Sequence, residues 1–270
     1  MSSNFNLLGN VISTEFLKLR RTMALWLTVL YPLGSVFLAS LFLYAGRDKT
    51  TPDHVEFINN FNSLLAFFLP FFGVLMVSFF CQVEHRNSMF KHLYSLPVPK
   101  WAFYFGKLAA SFLLLAVAWL LLMLFVYIAL LILGSVTPKL RITDAFDHTY
   151  LLLLVSRTFL SAATLVVIQY LLSLRMRNVV APISIGTSMI ILPIAVLFVL
   201  GITGILTNPK IFNWLLKYDP YSYPFSFIFK FSQGGPVKME LFPTSLVTWT
   251  LIASILAVLG YFNLKKRNIK

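Results

Sequence analysis

Polar and apolar positions alternate along this chain on the scale of whole segments. Met23 to Ala45 is an uncharged run of 23 residues, Ser63 to Gln82 a second of 20, and Leu108 to Gly134 a third of 27. Each is long enough to cross a bilayer, since about 20 apolar residues in a helix span a hydrocarbon core of roughly 30 Å. Residues 151–174, 179–202 and 244–264 are three further candidates, with Arg157 the one cation inside them. The pattern predicts an all-α integral membrane protein of six transmembrane helices, forming a single domain over residues 1–270. The third run exceeds the hydrocarbon thickness and predicts tilt or a protruding end. The first run is too long for a signal-peptide core, has no clear cleavage site and is followed by five more spans.

Composition agrees with that pattern. Of 270 residues, 59% are hydrophobic and 11% charged, with a mean hydropathy of +0.82. Soluble domains carry roughly 25% charge.

Charge then orients the spans. With six crossings, the termini and the second and fourth loops share one face. That face collects Lys18, Arg20, Arg21, Arg86, Lys91, Lys100, Lys107, Arg175, Arg177, Lys265, Lys266, Arg267 and Lys270 against Glu15 and Glu84. The other face holds the remaining nine cations and seven acids of the total of 22 and 9. The positive-inside rule places both termini in the cytoplasm. The net charge of +13 is accounted for by topology and anionic headgroups; no compact basic domain exists to bind nucleic acid. Membrane lipid is the expected surrounding.

Between the second and third runs lies EHRNSMFKHLYSLPVPKWAFYFGK, residues 84–107. Met89, Phe90, Leu93, Tyr94 and Leu96 recur at helical spacing, while Arg86, Asn87, Lys91, His92 and Ser95 fall mainly on the remaining surface. Pro97 and Pro99 end the pattern. This is a short amphipathic helix at the cytoplasmic surface. It is either an ordinary basic interfacial loop or a docking surface for a soluble partner.

The fifth run, VVAPISIGTSMIILPIAVLFVLGI, departs from plain Leu/Phe packing. Pro182, Gly186, Thr187, Ser188 and Pro193 supply small groups, hydroxyls and breaks in the hydrogen-bond ladder, which suit close helix approach or a cavity. A merely kinked packing helix would need the same residues. The stretch that follows contains NPKIFNWLLKYDPYSYPFSFIFKF. Asn208 as a cap, Pro209 at the first helical position and Ile211, Phe212, Leu215 and Tyr218 on one face predict short interfacial or re-entrant helices. Trp214, Tyr218, Tyr221 and Tyr223 form an aromatic belt there or lid a pathway.

Catalytic chemistry finds little support. There is no G-x-x-x-x-G-K-[ST] loop to cradle ATP, no H-E-x-x-H and no G-x-S-x-G. His54, His85, His92 and His148 lie on loops of both faces without a third ligand at zinc spacing. Cys81 is alone, so no intramolecular disulfide forms. Arg157 is expected about one to two turns inside the outer face, where its guanidinium would snorkel. The spans offer no midplane carboxylate or histidine for ion coupling. No cofactor or metal site is expected on this chain.

Two stretches together carry a resemblance. ISTEFLKLRRTMALW (Ile12 to Trp26), a basic amphipathic helix running into the first span, and the Glu84–Lys107 segment with its YSLPVPK resemble the ABC type-2 (ABC-2) permeases, the membrane subunits of ABC exporters. The EFLKLRRT element is most similar to the branch containing lantibiotic-immunity and bacitracin-resistance permeases. The glycine frequent after the acidic residue in that family is absent; Asn87 and Ser88 stand in the region. The resemblance implies an N-terminal elbow helix over residues 1–22 and a cytoplasmic coupling helix over residues 84–96 seated in a cleft of a separate ATPase subunit. Glu84 would open that helix, Met89, Phe90, Leu93 and Tyr94 would anchor it and Arg86 and Lys91 would rim it. It further implies two permease chains, identical or paralogous, around a central pathway, and ATP bound by the partner subunit alone. The expected function is export of an amphipathic or hydrophobic compound, such as an antimicrobial peptide, across a bacterial cytoplasmic membrane. A multi-pass scaffold without transport activity is the alternative.

Overall fold

A computed structural model of the protein describes residues 2–20, 22–46, 54–86, 99–136, 148–176, 178–202, 218–225 and 243–266. Among the described residues every regular element is helical. In chain order these are α1 (Ser2–Leu19), α2 (Met23–Gly46), α3 (His54–Arg86), α4 (Lys100–Val136), α5 (His148–Ser161), α6 (Ala163–Arg175), α7 (Val180–Ile202), a 3-10 turn (Tyr223–Phe225) and α8 (Thr244–Lys266). A lipid-embedded backbone must satisfy its own N–H and C=O groups, and helices do so within one segment.

Among the described residues, five helical stretches are long and apolar enough to cross a membrane: Met23–Phe42, Phe61–Val83, Lys100–Val136, His148–Arg175 and Thr244–Lys265. α7 carries the shorter apolar stretch Val180–Val196. Side chains are distributed as lipid surroundings require. Trp26, Phe37, Phe42, Leu120, Leu131, Phe198 and Leu251 are exposed, while Asn62, Ser78, Lys107, Arg157, Thr158, Gln169 and Ser173 are buried. Such an inside-out arrangement is costly in water and natural in a bilayer, where polar groups gain by facing one another inside the bundle. The chain is a multi-pass membrane protein.

The core forms around α3. It packs against α2, α5, α6, α7 and the 3-10 turn. Of its apolar stretch, 67% is buried inside the chain, as is 67% of the α5–α6 stretch, against 28% for α2 and 17% for α8. Those two stretches are therefore central, whereas α2 and α8, like α4 at 33%, are buried over the smaller part of their length. α2 is fastened to α3 by Tyr31, whose ring stacks on Phe72 at 4.5 Å and 10° and whose hydroxyl donates to Leu65 O at 3.1 Å.

α4 has 37 residues, roughly 55 Å at 1.5 Å per residue. It begins at Lys100, so the uncharged run from Leu108 continues a helix that starts earlier and includes Lys107. α5 and α6 form one crossing with a break. Ala162 makes a turn (φ −78°, ψ −10°) and its N–H donates to Phe159 O at 3.1 Å. No glycine or proline stands there. Instead Thr158 Oγ1 donates to Leu154 O at 2.9 Å and Ser161 Oγ donates to Thr158 O at 2.5 Å. Hydroxyls that bond back to preceding carbonyls bend a helix.

The ends of α3, α6 and α8 and the starts of α2, α4 and α7 gather at one end of the bundle, the basic end. Tyr104 on α4 ties that end together: its hydroxyl donates to Ala257 O on α8 at 2.8 Å, and its own carbonyl accepts from the Tyr170 hydroxyl on α6 at 2.8 Å. Gly260 lets α8 approach, because a Cβ there would collide with Leu171 Cδ2 and stand 2.6 Å from Tyr104 Oη.

Candidate functional site

Two constellations stand out. The first lies at the basic end, where α1 packs on α4. α1 runs along α4 and presents Val11, Glu15 and Leu19, spaced four apart on one helix face, to it. The approach is close: a Cβ on Gly106 would stand 2.7 Å from Val11 Cγ1. Glu15 is 2% exposed and Lys107 3%. Lys107 Nζ lies 3.2 Å from Glu15 Oε2, and Lys18 Nζ donates to Glu15 Oε1 at 2.5 Å. Lys107 Nζ also sits 4.6 Å from the centroid of the Phe80 ring on α3, within cation–π range. Burial alone would raise the Glu15 carboxyl, but Lys107 and Lys18 together hold it below its ordinary value. Glu15 is a carboxylate at neutral pH.

Glu84 and Arg86 lie in the last turn of α3. Met89, Phe90, Lys91, Leu93 and Tyr94 lie outside the described residues.

The second constellation is a buried polar core centred on Gln169 of α6. Its Nε2 donates to Ser78 Oγ on α3 at 2.7 Å and to Pro182 O on α7 at 2.9 Å. Its Oε1 accepts from the Tyr221 hydroxyl at 3.0 Å. Ser173 Oγ stands 3.5 Å from Ser78 Oγ. Tyr221 belongs to the stretch between α7 and α8, so part of that stretch enters the bundle: Tyr221, Ser222, Tyr223, Pro224 and Phe225 are all buried. Asp219 caps the turn, accepting from the N–H of Tyr221 at 3.3 Å and of Ser222 at 2.9 Å. The Phe225 and Phe67 rings meet at 5.7 Å, and Tyr223 Oη lies 2.7 Å from Ser245 Oγ on α8.

The residues of α7 singled out from sequence divide between its faces. Pro182, Gly186 and Pro193 are buried, Thr187 is half-buried and Ser188 exposed. Gly186 faces inward; a Cβ there would meet Gln169 Oε1 at 2.7 Å and Val74 Cγ1 at 2.8 Å. Thr187 Oγ1 donates to Ile183 O at 2.8 Å within its own helix. Arg157 does not snorkel. It is 6% exposed and lies within electrostatic reach of Tyr223, because the inserted turn provides polar surroundings inside the bundle.

Sequence reasoning misses Gln169 and the Glu15–Lys107 pair. The signal for the first is a lone amide in VVIQYLL; for the second, an acid and a base that each read as loop charges. Among the described residues no three His, Cys, Asp or Glu side chains converge as a metal site would require.

The fold is that of a multi-pass helical membrane protein whose mostly apolar core encloses a hydrogen-bonded polar cluster. A family model described as ABC-2 family transporter protein matches residues 11–193, and the chain belongs to that family. It is therefore a membrane permease of an ABC transporter, and membership implies partnership with an ABC ATPase subunit. No curated protein matches the chain.

Proposed function

We propose that the chain is the permease of an ATP-driven exporter in a bacterial cytoplasmic membrane, crossing six times with both termini inside. The carrying observation is the ABC-2 match over residues 11–193, which includes the amphipathic 84–96 segment that begins in the last turn of α3 and precedes α4. That segment is the coupling helix. Phe90 and Leu93, with Met89 and Tyr94, enter a cleft of the ATPase subunit, while Glu84, Arg86 and Lys91 line its border. ATP binds to the partner alone.

A second permease chain, identical or paralogous, faces this one. The weakly buried α2 and α8 and the Ser188 side of α7 are the surfaces open to it and to lipid. The inward side of α7, with Pro182, Gly186 and Pro193, borders the polar core that forms one wall of the pathway. The substrate is an amphipathic or hydrophobic compound; the resemblance to lantibiotic-immunity and bacitracin-resistance permeases supports an antimicrobial peptide. Closure of the ATPase pair rocks the coupling helices and alternates access.

Phe90→Ala with Leu93→Ala tests this reading. Each truncation removes about 2 kcal/mol if the side chain is a buried hot spot. Membrane insertion should persist while co-purification of the ATPase falls. A double variant that retains its ATPase fully would leave the scaffold reading standing instead.

A further inference from the structure

The two glycines where α1 meets α4 differ in what they face. A Cβ on Gly106 of α4 would stand 2.7 Å from Val11 Cγ1, whereas one on Gly9 of α1 would meet nothing within 4 Å. Gly106 makes room for a neighbour within the chain; Gly9 faces a gap. Glycine inside a helix is destabilising relative to alanine, and at Gly9 no contact within the chain offsets that. The gap belongs to a groove of about 470 Å³ between the two helices. Leu8, Gly9 and Ile12 form one wall, and Phe105, Ala109 and Phe112 line the other. All are apolar, and the groove is separate from the polar core that α3, α6 and α7 build around Gln169.

α1 ends and α4 begins at the basic end, and the groove lies in from that end on both helices. From Phe105 to Phe112 it follows α4 for about 10 Å. The same stripe of α4 continues as Leu113, Val117 and Leu120, all exposed, so the groove opens onto the apolar outer surface of the bundle. Toward the basic end, Arg20 directly follows α1 and is exposed. Phe16 and Arg20 are seven and eleven residues from Gly9, on the same helix face, which puts Arg20 about 16 Å from Gly9 along the axis. That is close to the depth of one leaflet, half of a hydrocarbon core of roughly 30 Å. Lys18, by contrast, is turned to Glu15.

A slot with a missing side chain in its wall is too narrow for a helix of a second copy, which is about 10 Å across. One hydrocarbon chain fits it. The cation one leaflet's depth away complements a negative headgroup, and basic side chains at a membrane surface attract anionic lipid. We propose that the groove between α1 and α4 binds one anionic phospholipid, with an acyl chain lying between Gly9 and Ala109 and the phosphate paired with Arg20. The lipid fills the gap and fastens α1 to α4 beside the buried Glu15–Lys107 contact. Charge holds its head and burial holds its chain, so the two halves of the site respond to different substitutions.

The test is native mass spectrometry of the full chain released from detergent, titrated with dioleoyl phosphatidylglycerol or, separately, dioleoyl phosphatidylcholine. The parent should bind one phosphatidylglycerol about fivefold more tightly than one phosphatidylcholine, the preference one cation gives for an anionic headgroup. Arg20→Gln should bring the two lipids level. Gly9→Leu extends into open space and leaves the packing of α1 in place; it should weaken both lipids about tenfold, as displacing two methylenes from the groove would. Ala109→Phe, filling the groove from the other wall, should do the same. Phosphatidylglycerol should also raise the unfolding temperature of the parent more than that of Gly9→Leu, because a ligand bound only to the folded chain stabilises it. Parent-like phosphatidylglycerol binding in both Gly9→Leu and Ala109→Phe overturns the proposal. Equal affinity of the parent for the two lipids overturns it too, since the site then selects no charge. A parent that is dimeric while Gly9→Leu is monomeric, with lipid binding unchanged, also overturns it and gives the groove to a second copy.

Discussion

The hydroxyl of Tyr221 donates to Oε1 of Gln169 at 3.0 Å, joining a turn between α7 and α8 to the interior of α6. Because Gln169 also donates from Nε2 to Ser78 and to Pro182, its amide is held by three separate elements. Removing the Tyr221 hydroxyl leaves a buried carbonyl oxygen without that donor, a loss of about 1–3 kcal/mol. Tyr221→Phe should therefore lower the unfolding temperature of the detergent-purified chain. Gln169→Leu/Tyr221→Phe should lose less than the sum of its two single changes, since the second substitution has no bond left to break. Additive losses in that cycle would show that the two side chains act independently.

Gly186 offers a steric test of the same core. A Cβ at this position would stand 2.7 Å from Gln169 Oε1 and 2.8 and 2.9 Å from the two methyl groups of Val74, so only glycine leaves these neighbours undisturbed. Gly186→Ala forces them to shift and Gly186→Leu forces α7 away from α3. Overpacking of this kind costs typically about 1–3 kcal/mol. The loss should be visible in thermal unfolding of the isolated chain, before any second copy is present. A Gly186→Leu chain as stable as the parent when alone, yet unable to pair, would instead move this face to the contact between copies.

The acid side of the stability profile should report on Glu15. Its carboxyl is held below the ordinary value of 4.5 by Lys107 and Lys18, against burial. A depressed native pKa means the unfolded chain binds the proton first as pH falls, so the contribution is complete above the unfolded value and disappears as pH drops through the folded one. The stability difference between the parent and Glu15→Gln should thus be constant from about pH 8 to about 5 and shrink only below the ordinary carboxyl value. Denaturation of both proteins across that range measures it. A difference that already fades between about pH 7 and 6 would contradict a carboxylate stabilised by two cations.

How far the molecule is legible from sequence depends on the range of each interaction. The helical, multi-span character follows from runs such as Leu108 to Gly134, because a bilayer acts on every residue of a span at once. The break at Ala162 is not legible, since LSAATL contains neither glycine nor proline; the hydroxyls of Thr158 and Ser161 bond back to preceding carbonyls beside it. Lys107 reads as one more cation on the positive face because its partner Glu15 is 92 residues away in sequence. Gln169 reads as a tolerated polar residue in an apolar run. Its importance comes from Ser78, Pro182 and Tyr221, which only the packing of three other segments brings to it. Arg157 reads as an interfacial residue because nothing local indicates that Tyr223 enters the bundle beside it.

Orientation in the membrane can be decided with cysteines at described, exposed positions. Cys81 is 1% exposed, so it contributes little background to labelling by a membrane-impermeant thiol reagent, and Cys81→Ala removes it altogether. Arg20 and Lys265 are exposed at the basic end, whereas Ser135 and Thr149 are exposed at the opposite end. The proposed orientation puts the first end, with its excess of cations, in the cytoplasm. In intact cells, Ser135→Cys and Thr149→Cys should therefore label, while Arg20→Cys and Lys265→Cys should label only after the membrane is opened. The two basic-end positions lie at the exit of α1 and the end of α8, so their agreement also tests whether the number of crossings is even. Labelling of one but not the other in intact cells would require an odd number and would remove α7 as a complete crossing. Labelling of both from outside would invert the protein and put the 84–96 segment out of reach of any cytoplasmic ATPase.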